Sequence, residues 1–271
     1  MPTNPYNANN KGGKDFLLTK KSSERTLILA GGGTATKPWA NELYSTFVKL
    51  SGERDAKIGI ITAASKPRQA EKNGHFYENI FSELGAHAEW IPIDIRSRKN
   101  SYNKDLVKKI ESMTGIFYGA GNQTRYTTSL RNNANINSPM LNAMNLAYKS
   151  GATIAGTSAG TAIQCSSPMI RGDNIFDPYG GFGFFPYGIL DTHFSQRNRE
   201  SRLINLARKT KTSQAYGIDE DTILIVKNVD TPQTHMEVLG EHGVHIYTNI
   251  SKKGFKMTRL KAGDTYYPPK P

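Results

Sequence analysis

The chain has 271 residues, a formal net charge of +12, 37% hydrophobic and 10% aromatic residues, and 25 glycines and 13 prolines spread along it, which excludes a wholly disordered or fibrous chain. The single cysteine, Cys165, excludes an intrachain disulfide and a paired-cysteine zinc site, and no apolar stretch approaches the length that crosses a bilayer. The positive charge invites a nucleic-acid partner, but the basic residues are scattered and no helix-turn-helix, zinc-finger or RNP pattern accompanies them, so neither nucleic acid nor membrane is expected as a partner.

Residues 1–24 read as a polar, Asn/Lys-rich tail without the apolar segment of a secretory signal. A cytoplasmic protein is expected, or a secreted one if a signal was removed before this numbering begins. Arg25 to Ala30 is a short apolar run ending in Gly31-Gly32-Gly33, the pattern of a buried strand meeting a tight turn. The pattern recurs at Ala56–Thr62, His87–Ile93, Gly115–Tyr118 and Ala152–Ala155. Between these strands, Trp39–Leu50, Phe76–Leu84, Leu106–Met113 and Met140–Tyr148 carry apolar residues at helical spacing. Such alternation predicts βαβ units and a mainly parallel sheet covered on both faces, with its ligand site beyond the carboxyl ends of the strands. Farther on, Ile223–Val226, Met236–Leu239 and Val244–Tyr247 are closely spaced and joined by turn residues, predicting an antiparallel C-terminal extension of that sheet. Without an internal repeat or a Pro-rich linker, residues 25–265 read as one α/β domain and 266–271 as a C-terminal tail.

The strongest chemical signal is Gly156-Thr-Ser158-Ala159-Gly160, directly after the fifth strand. In G-x-S-x-G the small flanking residues permit a sharp strand-to-helix turn, which projects Ser158 into the crevice and aims the Ala159 N–H at the same space. A nucleophilic serine needs a base. Among the six histidines, His193 closes the apolar strand of Gly188-Ile-Leu-Asp-Thr-His193 and emerges on the crevice side, whereas His75, His87 and His235 read as surface residues. His242 and His245, three apart, would face opposite ways in a strand, so no metal site is expected there. Asp219, Glu220 and Asp221 place three acids before a strand, an unfavourable cluster unless cations balance it, and any of them could orient the imidazole.

Arg197, Arg199 and Arg202 open a predicted helix, where cations oppose the macrodipole and an anion should compensate. They form either a solvated basic face or a pocket for a substrate carboxylate. Gly119-Ala-Gly121-Asn122-Gln123 follows the fourth strand and reaches the same crevice, with a backbone donor and a side-chain amide to offer. Gly31-Gly-Gly33-Thr34 matches neither a P-loop nor a dinucleotide fingerprint, and no cofactor is expected.

Together GTSAG, DTHFSQRNRESRL and GIDEDT, with GAGNQ upstream, resemble the serine-peptidase family of cyanophycinase and aspartyl dipeptidase over roughly residues 25–228. That resemblance implies a flavodoxin-like three-layer sandwich related to class I glutamine amidotransferases, and often a homodimer. It implies Ser158 as nucleophile, His193 as base and Glu220 as orienter, with the Gly121 and Ala159 N–H groups as oxyanion hole. The long Asp191-to-Arg202 string points to the cyanophycinase branch, whose members release β-Asp-Arg dipeptides from a poly-aspartate backbone bearing side-chain-linked arginine. On that likeness Gln123, Asp191, Thr192, Arg197, Arg199 and Arg202 hold a β-linked aspartyl unit. Two departures stand out: Thr192 where glutamine is usual, and Thr161 where alanine is. G-x-S-x-G alone also fits an α/β-hydrolase, but the chain order there is Ser, acid, His, which would draw on His235, His242 or His245.

Overall fold

The computed structural model describes residues 24–33, 38–166, 169–171, 175–177 and 180–270, and apart from Glu24 the expected N-terminal tail lies outside them. The short apolar runs form five parallel strands: β1 (Leu27–Ala30), β2 (Lys57–Ile61), β3 (His87–Trp90), β4 (Gly115–Tyr118) and β5 (Thr153–Thr157), ordered β1-β5-β4-β2-β3. Helices α1 (Pro38–Leu50), α2 (Ala70–Glu83), α3 (Lys104–Glu111), α4 (Gln123–Leu130) and α5 (Pro139–Lys149) connect them. Because both faces are covered, side chains along each strand alternate between two cores. Ile28, Ile60 and Phe117 meet Leu43, Phe47 and Phe81 of α1 and α2, whereas Leu29, Ile116 and Ile154 belong with Met140 and Met144 of α5.

The second half is α6 (Ala159–Ala162), a β6 (Met169–Arg171) and β7 (Ile175–Asp177) ribbon, β8 (Ile189–Thr192), α7 (Glu200–Thr210), β9 (Ala215–Ile218), β10 (Thr222–Lys227), β11 (His235–Gly240), β12 (Gly243–Ser251), β13 (Gly254–Lys261) and β14 (Thr265–Tyr266). Strand β10 pairs antiparallel with β1, β11 with β10 and β14 with β11, completing an eight-stranded, mainly parallel sheet flanked by helices. The predicted extension is otherwise divided. Strand β12, which contains Val244–Tyr247, pairs with β9 and β13 in a separate sheet ordered β13-β12-β9-β8.

Burial explains the division. Val244 and Ile246 enter the core shared with the main sheet, while Tyr247 packs with Phe194, Leu203 and Ile204 on the α7 side. A strand buried on both faces cannot serve as the rim of the main sheet, so it takes a second layer. Tyr266, the first residue of the expected C-terminal tail, pairs with Met236. Among the described residues no helix is long and apolar enough to cross a membrane.

Candidate active site

The carboxyl ends of β4 and β5 in one sheet, and of β8 in the other, converge on a cleft of about 240 Å³. The main sheet brings Gly121, Gln123, Ser158 and Ala159 to it, and the second sheet brings Asp191 to His193 and the three arginines.

Ser158 sits between β5 and α6 with φ 53° and ψ −110°, a strained conformation for an L-residue. The turn is tight enough that an ideal Cβ on Gly156 would lie 2.3 Å from the Gly160 carbonyl oxygen, and one on Gly160 would lie 1.9 Å from that of Tyr118. Thr161 braces the elbow by donating its hydroxyl to the Ala30 and Gly156 carbonyls at 2.7 and 2.8 Å. Ala159 opens α6, so its N–H belongs to the first turn, which has no intrahelical acceptor.

The Ser158 hydroxyl lies 2.7 Å from His193 Nε2, and His193 Nδ1 lies 2.6 Å from Glu220 Oε1. A carboxylate only accepts, so Nδ1 carries the proton and Nε2 presents a lone pair to the serine. Burial holds the His193 pKa below the ordinary imidazole value, the charges of Arg197 and Arg199 add to that, and Glu220 opposes it.

The three consecutive acids have separate duties. Asp219 accepts from the Ser195 N–H at 2.9 Å and lies 3.2 Å from His245 Nε2. Burial alone would raise its pKa, but the His245 and Ser195 contacts outweigh that and bring it down to about 2. Glu220 faces His193, and Asp221 is buried with its N–H on the Gly32 carbonyl at 2.8 Å.

Gly31–Gly33, read from the sequence only as a tight turn, has a part in the site. Three consecutive carbonyls at the end of β1 each receive an N–H from a loop of the site: Ser158 to Ala30 at 3.1 Å, His193 to Gly31 at 2.8 Å and Asp221 to Gly32 at 2.8 Å. Gly32 has φ +103°, and the His193 ring lies against it where a Cβ would be. A glycine run after a strand carries the conformational signal for such a turn. The identity of what rests on it is a long-range property.

Asp191, 3% exposed, is the anion that the arginine cluster requires. Arg202 donates to it through Nε at 2.7 Å and Nη2 at 2.5 Å, and Arg199 through Nη1 at 3.0 Å. Arg199 also donates to the Thr192 carbonyl at 2.7 Å, and the Thr192 N–H donates to Asp191 Oδ1 at 2.8 Å. Arg197 stands exposed at the rim in a short 3₁₀ turn that precedes α7. Three arginines and one aspartate leave the cleft with excess positive charge. Gln123 opens α4 beneath the Asn122 cap and donates its amide to the Ile170 carbonyl at 2.6 Å.

The cleft therefore brings together all the residues singled out from sequence: Gly121, Gln123, Ser158, Ala159, Asp191, Thr192, His193, Arg197, Arg199 and Arg202 line it, and Glu220 reaches it through His193. The histidines set aside lie elsewhere. His75 bonds Glu78 on α2, His235 lies by Gln233, and His245 is held by Asp219 and Ser195 behind the imidazole. The one group among the described residues with metal-ligand proximity is Asp221, Glu241 and His242, whose ligand atoms lie within 4.8 Å of one another. The serine–histidine–glutamate series draws on none of them. Cys165 is fully buried.

The model of peptidase family S51 matches residues 26–233. A cyanophycinase from Geminocystis herdmanii is 31% identical over 243 residues, covering 84% of this chain and 85% of that one. A cyanophycinase from a Nostoc species is 31% identical over 242 residues, covering 86% and 77%. Among solved structures, a peptidase from an acI-B1 actinobacterium superposes with a TM-score of 0.71 at 23% identity, over 92% of this chain and 99% of that one, which establishes a common fold. Fold, family model and relatives agree: the chain belongs to peptidase family S51 and is a serine-type peptidase.

Proposed function

We propose that this peptidase hydrolyses the β-aspartyl-arginine polymer cyanophycin to β-Asp-Arg dipeptides through an acyl-enzyme. The observation that carries the reading is the Ser158–His193–Glu220 hydrogen-bonded series at the mouth of a cationic cleft. Ser158 Oγ attacks an aspartyl carbonyl while its proton passes to His193 Nε2, and Glu220 holds the tautomer and stabilises the imidazolium. The developing oxyanion receives the Ala159 and Gly121 N–H groups. His193 then protonates the departing amine, and a water activated by the same nitrogen hydrolyses the ester.

The substrate's free carboxylates meet the arginines. Asp191 serves as a positioning residue that fixes Arg199 and Arg202, and Arg197 offers its planar fork from the rim. Gln123 and Thr192 line the space for the aspartyl unit. We further propose a cytoplasmic enzyme that forms a homodimer, the latter measurable by light scattering during size exclusion.

A panel of cyanophycin, β-aspartyl dipeptides and α-Asp-X peptides, analysed by mass spectrometry, tests the substrate. Ser158→Ala should abolish turnover and leave the melting temperature near that of the parent. Full activity in Ser158→Ala overturns the assignment. A second reading, an aspartyl dipeptidase or another β-aspartyl peptidase, is favoured by Thr192, whose short side chain lacks the amide of glutamine. If the polymer is the substrate, Thr192→Gln should raise its turnover relative to dipeptides. A preference for dipeptides that this change leaves untouched supports the second reading.

A further inference from the structure

The basic residues are scattered in sequence, but the fold collects a group of them along one strand. Residues 252–261 carry Lys252, Lys253, Lys256, Arg259 and Lys261 and no acid, and all five are exposed. They lie on β13 and the turn before it, and β13 is the outer strand of the second sheet, paired with β12 alone among the described strands. Arg208, near the end of α7, donates through Nε to the Ser251 carbonyl at 2.9 Å, which adds the cations of that helix end to the turn.

Two apolar side chains interleave with the charges: Phe255 is 42% exposed and Met257 48%. By strand alternation they share a face with Arg259 and Lys261, whereas Leu260 on the other face is buried. Helix α7 packs on β8, β9 and β12, and Phe255 and Met257 stay exposed beyond it. The strip backs onto residues that neighbour His193 and Glu220 in sequence. Tyr247, the register partner of Met257, packs between Phe255 and Phe194, the residue after His193, and His245, the partner of Arg259, sits against Asp219 and Ser195. Along the strand Phe255 and Arg259 are about 13 Å apart.

We propose that the outer edge of β13 binds an acidic polypeptide in extended conformation, added as a fifth strand to the second sheet with its carboxylates on Lys256, Arg259 and Lys261. Charge complementarity selects a polyanion. That edge, which no described strand pairs, selects a polypeptide among polyanions, because it offers backbone N–H and C=O groups at strand spacing that neither a nucleic acid nor a lipid headgroup can ladder onto. The occupant is distinct from the polymer proposed for the cleft, whose aspartate side chains are amide-linked to arginine and offer no run of free aspartate carboxylates.

The test is fluorescence anisotropy of a labelled oligo-aspartate with the full Ser158→Ala chain, at low and physiological salt. Binding weakened by salt and reduced about tenfold or more by Lys256→Glu with Arg259→Glu is expected. The same probe with alternate backbone nitrogens methylated should bind much less tightly than the parent probe, since it keeps the charge and loses the ladder. Equal affinity for the methylated probe overturns the proposal. So does an unchanged affinity in the charge-reversed chain, or equally tight binding of a single-stranded oligonucleotide that the two reversals weaken to the same extent. Binding is read without turnover, so a failure of the peptidase reading leaves this measurement standing. In the Ser158 chain the two reversals should leave dipeptide hydrolysis unchanged, which shows that they keep the fold.

Discussion

Adding one methyl group at Gly32 tests whether the glycine run aligns the imidazole. An ideal Cβ there would lie 2.3 Å from His193 Cε1, 2.6 Å from Nε2 and 2.9 Å from Nδ1. Carbon atoms in contact stand about 3.5–4.0 Å apart, so the ring has to retreat by about 1 Å or more. It cannot do so freely, because its backbone N–H is fixed to the Gly31 carbonyl and Glu220 holds Nδ1 at 2.6 Å. The movement stretches the 2.7 Å contact with Ser158, and displacements of this size cost about 100-fold in rate. Gly32→Ala also places an L-residue at φ +103°, at a cost of about 1–2 kcal/mol, which lowers the melting temperature by roughly 2–8 °C in a chain of this size.

Gly85→Ala separates the two effects. Gly85 has φ +89° with nothing within 4 Å of the added Cβ, so it should lose similar stability and no activity. Labelling of Ser158 by a fluorophosphonate reports the reactivity of the pair without assuming a substrate. If Gly32→Ala labels and turns over within about threefold of the parent while Gly85→Ala behaves as stated, the seat does not position His193 and the reasoning fails.

Asp191→Asn removes the carboxylate between two arginines that are 13% and 12% exposed, and leaving them buried without their anion should cost about 3 kcal/mol, or roughly 6–12 °C by calorimetry. Adding Arg202→Met to that chain should restore part of the loss, and strictly additive effects would show that the pair is not coupled. His193 acts as a base when neutral, and its lowered pKa places the acid limb of kcat/KM below the ordinary imidazole value of about 6.5. Arg197→Met removes a repulsive charge and should move that limb to higher pH, whereas Glu220→Gln should move it lower while reducing kcat. An Arg197→Met profile that does not move upward contradicts the electrostatics. Burial pushes the Cys165 thiol up to about 12, so iodoacetamide should neither modify the folded enzyme nor inactivate it.

The parallel sheet was legible because each strand is a short apolar run and each helix keeps its own period. The second sheet was less so, because two of its members do not look like buried strands. In β13 lysine and arginine alternate with exposed Phe255 and Met257, and β9 is four residues of which Gly217 is one. Helix α4 was not among the predicted helices, because it has two consecutive threonines and only Tyr126 and Leu130 mark its apolar side. Within the site, Ser158 and His193 were recognisable from local context, a strand followed by a turn. The need for an anion near the arginines was also readable. That Asp191 supplies it was not, since the pairing depends on how β8 delivers its last residues beneath α7.

The positive backbone angles reveal how the two halves of the site are kept in register. Ser158, His193 and Asp221 have φ of 53°, 50° and 55°, a conformation that costs an L-residue about 1–2 kcal/mol. Each of the three donates its N–H to a successive carbonyl at the end of β1, those of Ala30, Gly31 and Gly32. Ser158 comes from the main sheet, His193 follows β8 of the second, and Asp221 lies in the turn that joins β9 of the second sheet to β10 of the main one. One short segment thus sets the height of all three loops, and Glu220, next to Asp221, is carried with them. The strain at each loop is offset by an anchor that only a glycine-rich turn can present without side-chain obstruction. Changes at Gly31–Gly33 should therefore shift the Ser158 elbow and the imidazole together, whereas a change confined to α6 or to β8 should shift one and leave the other in place.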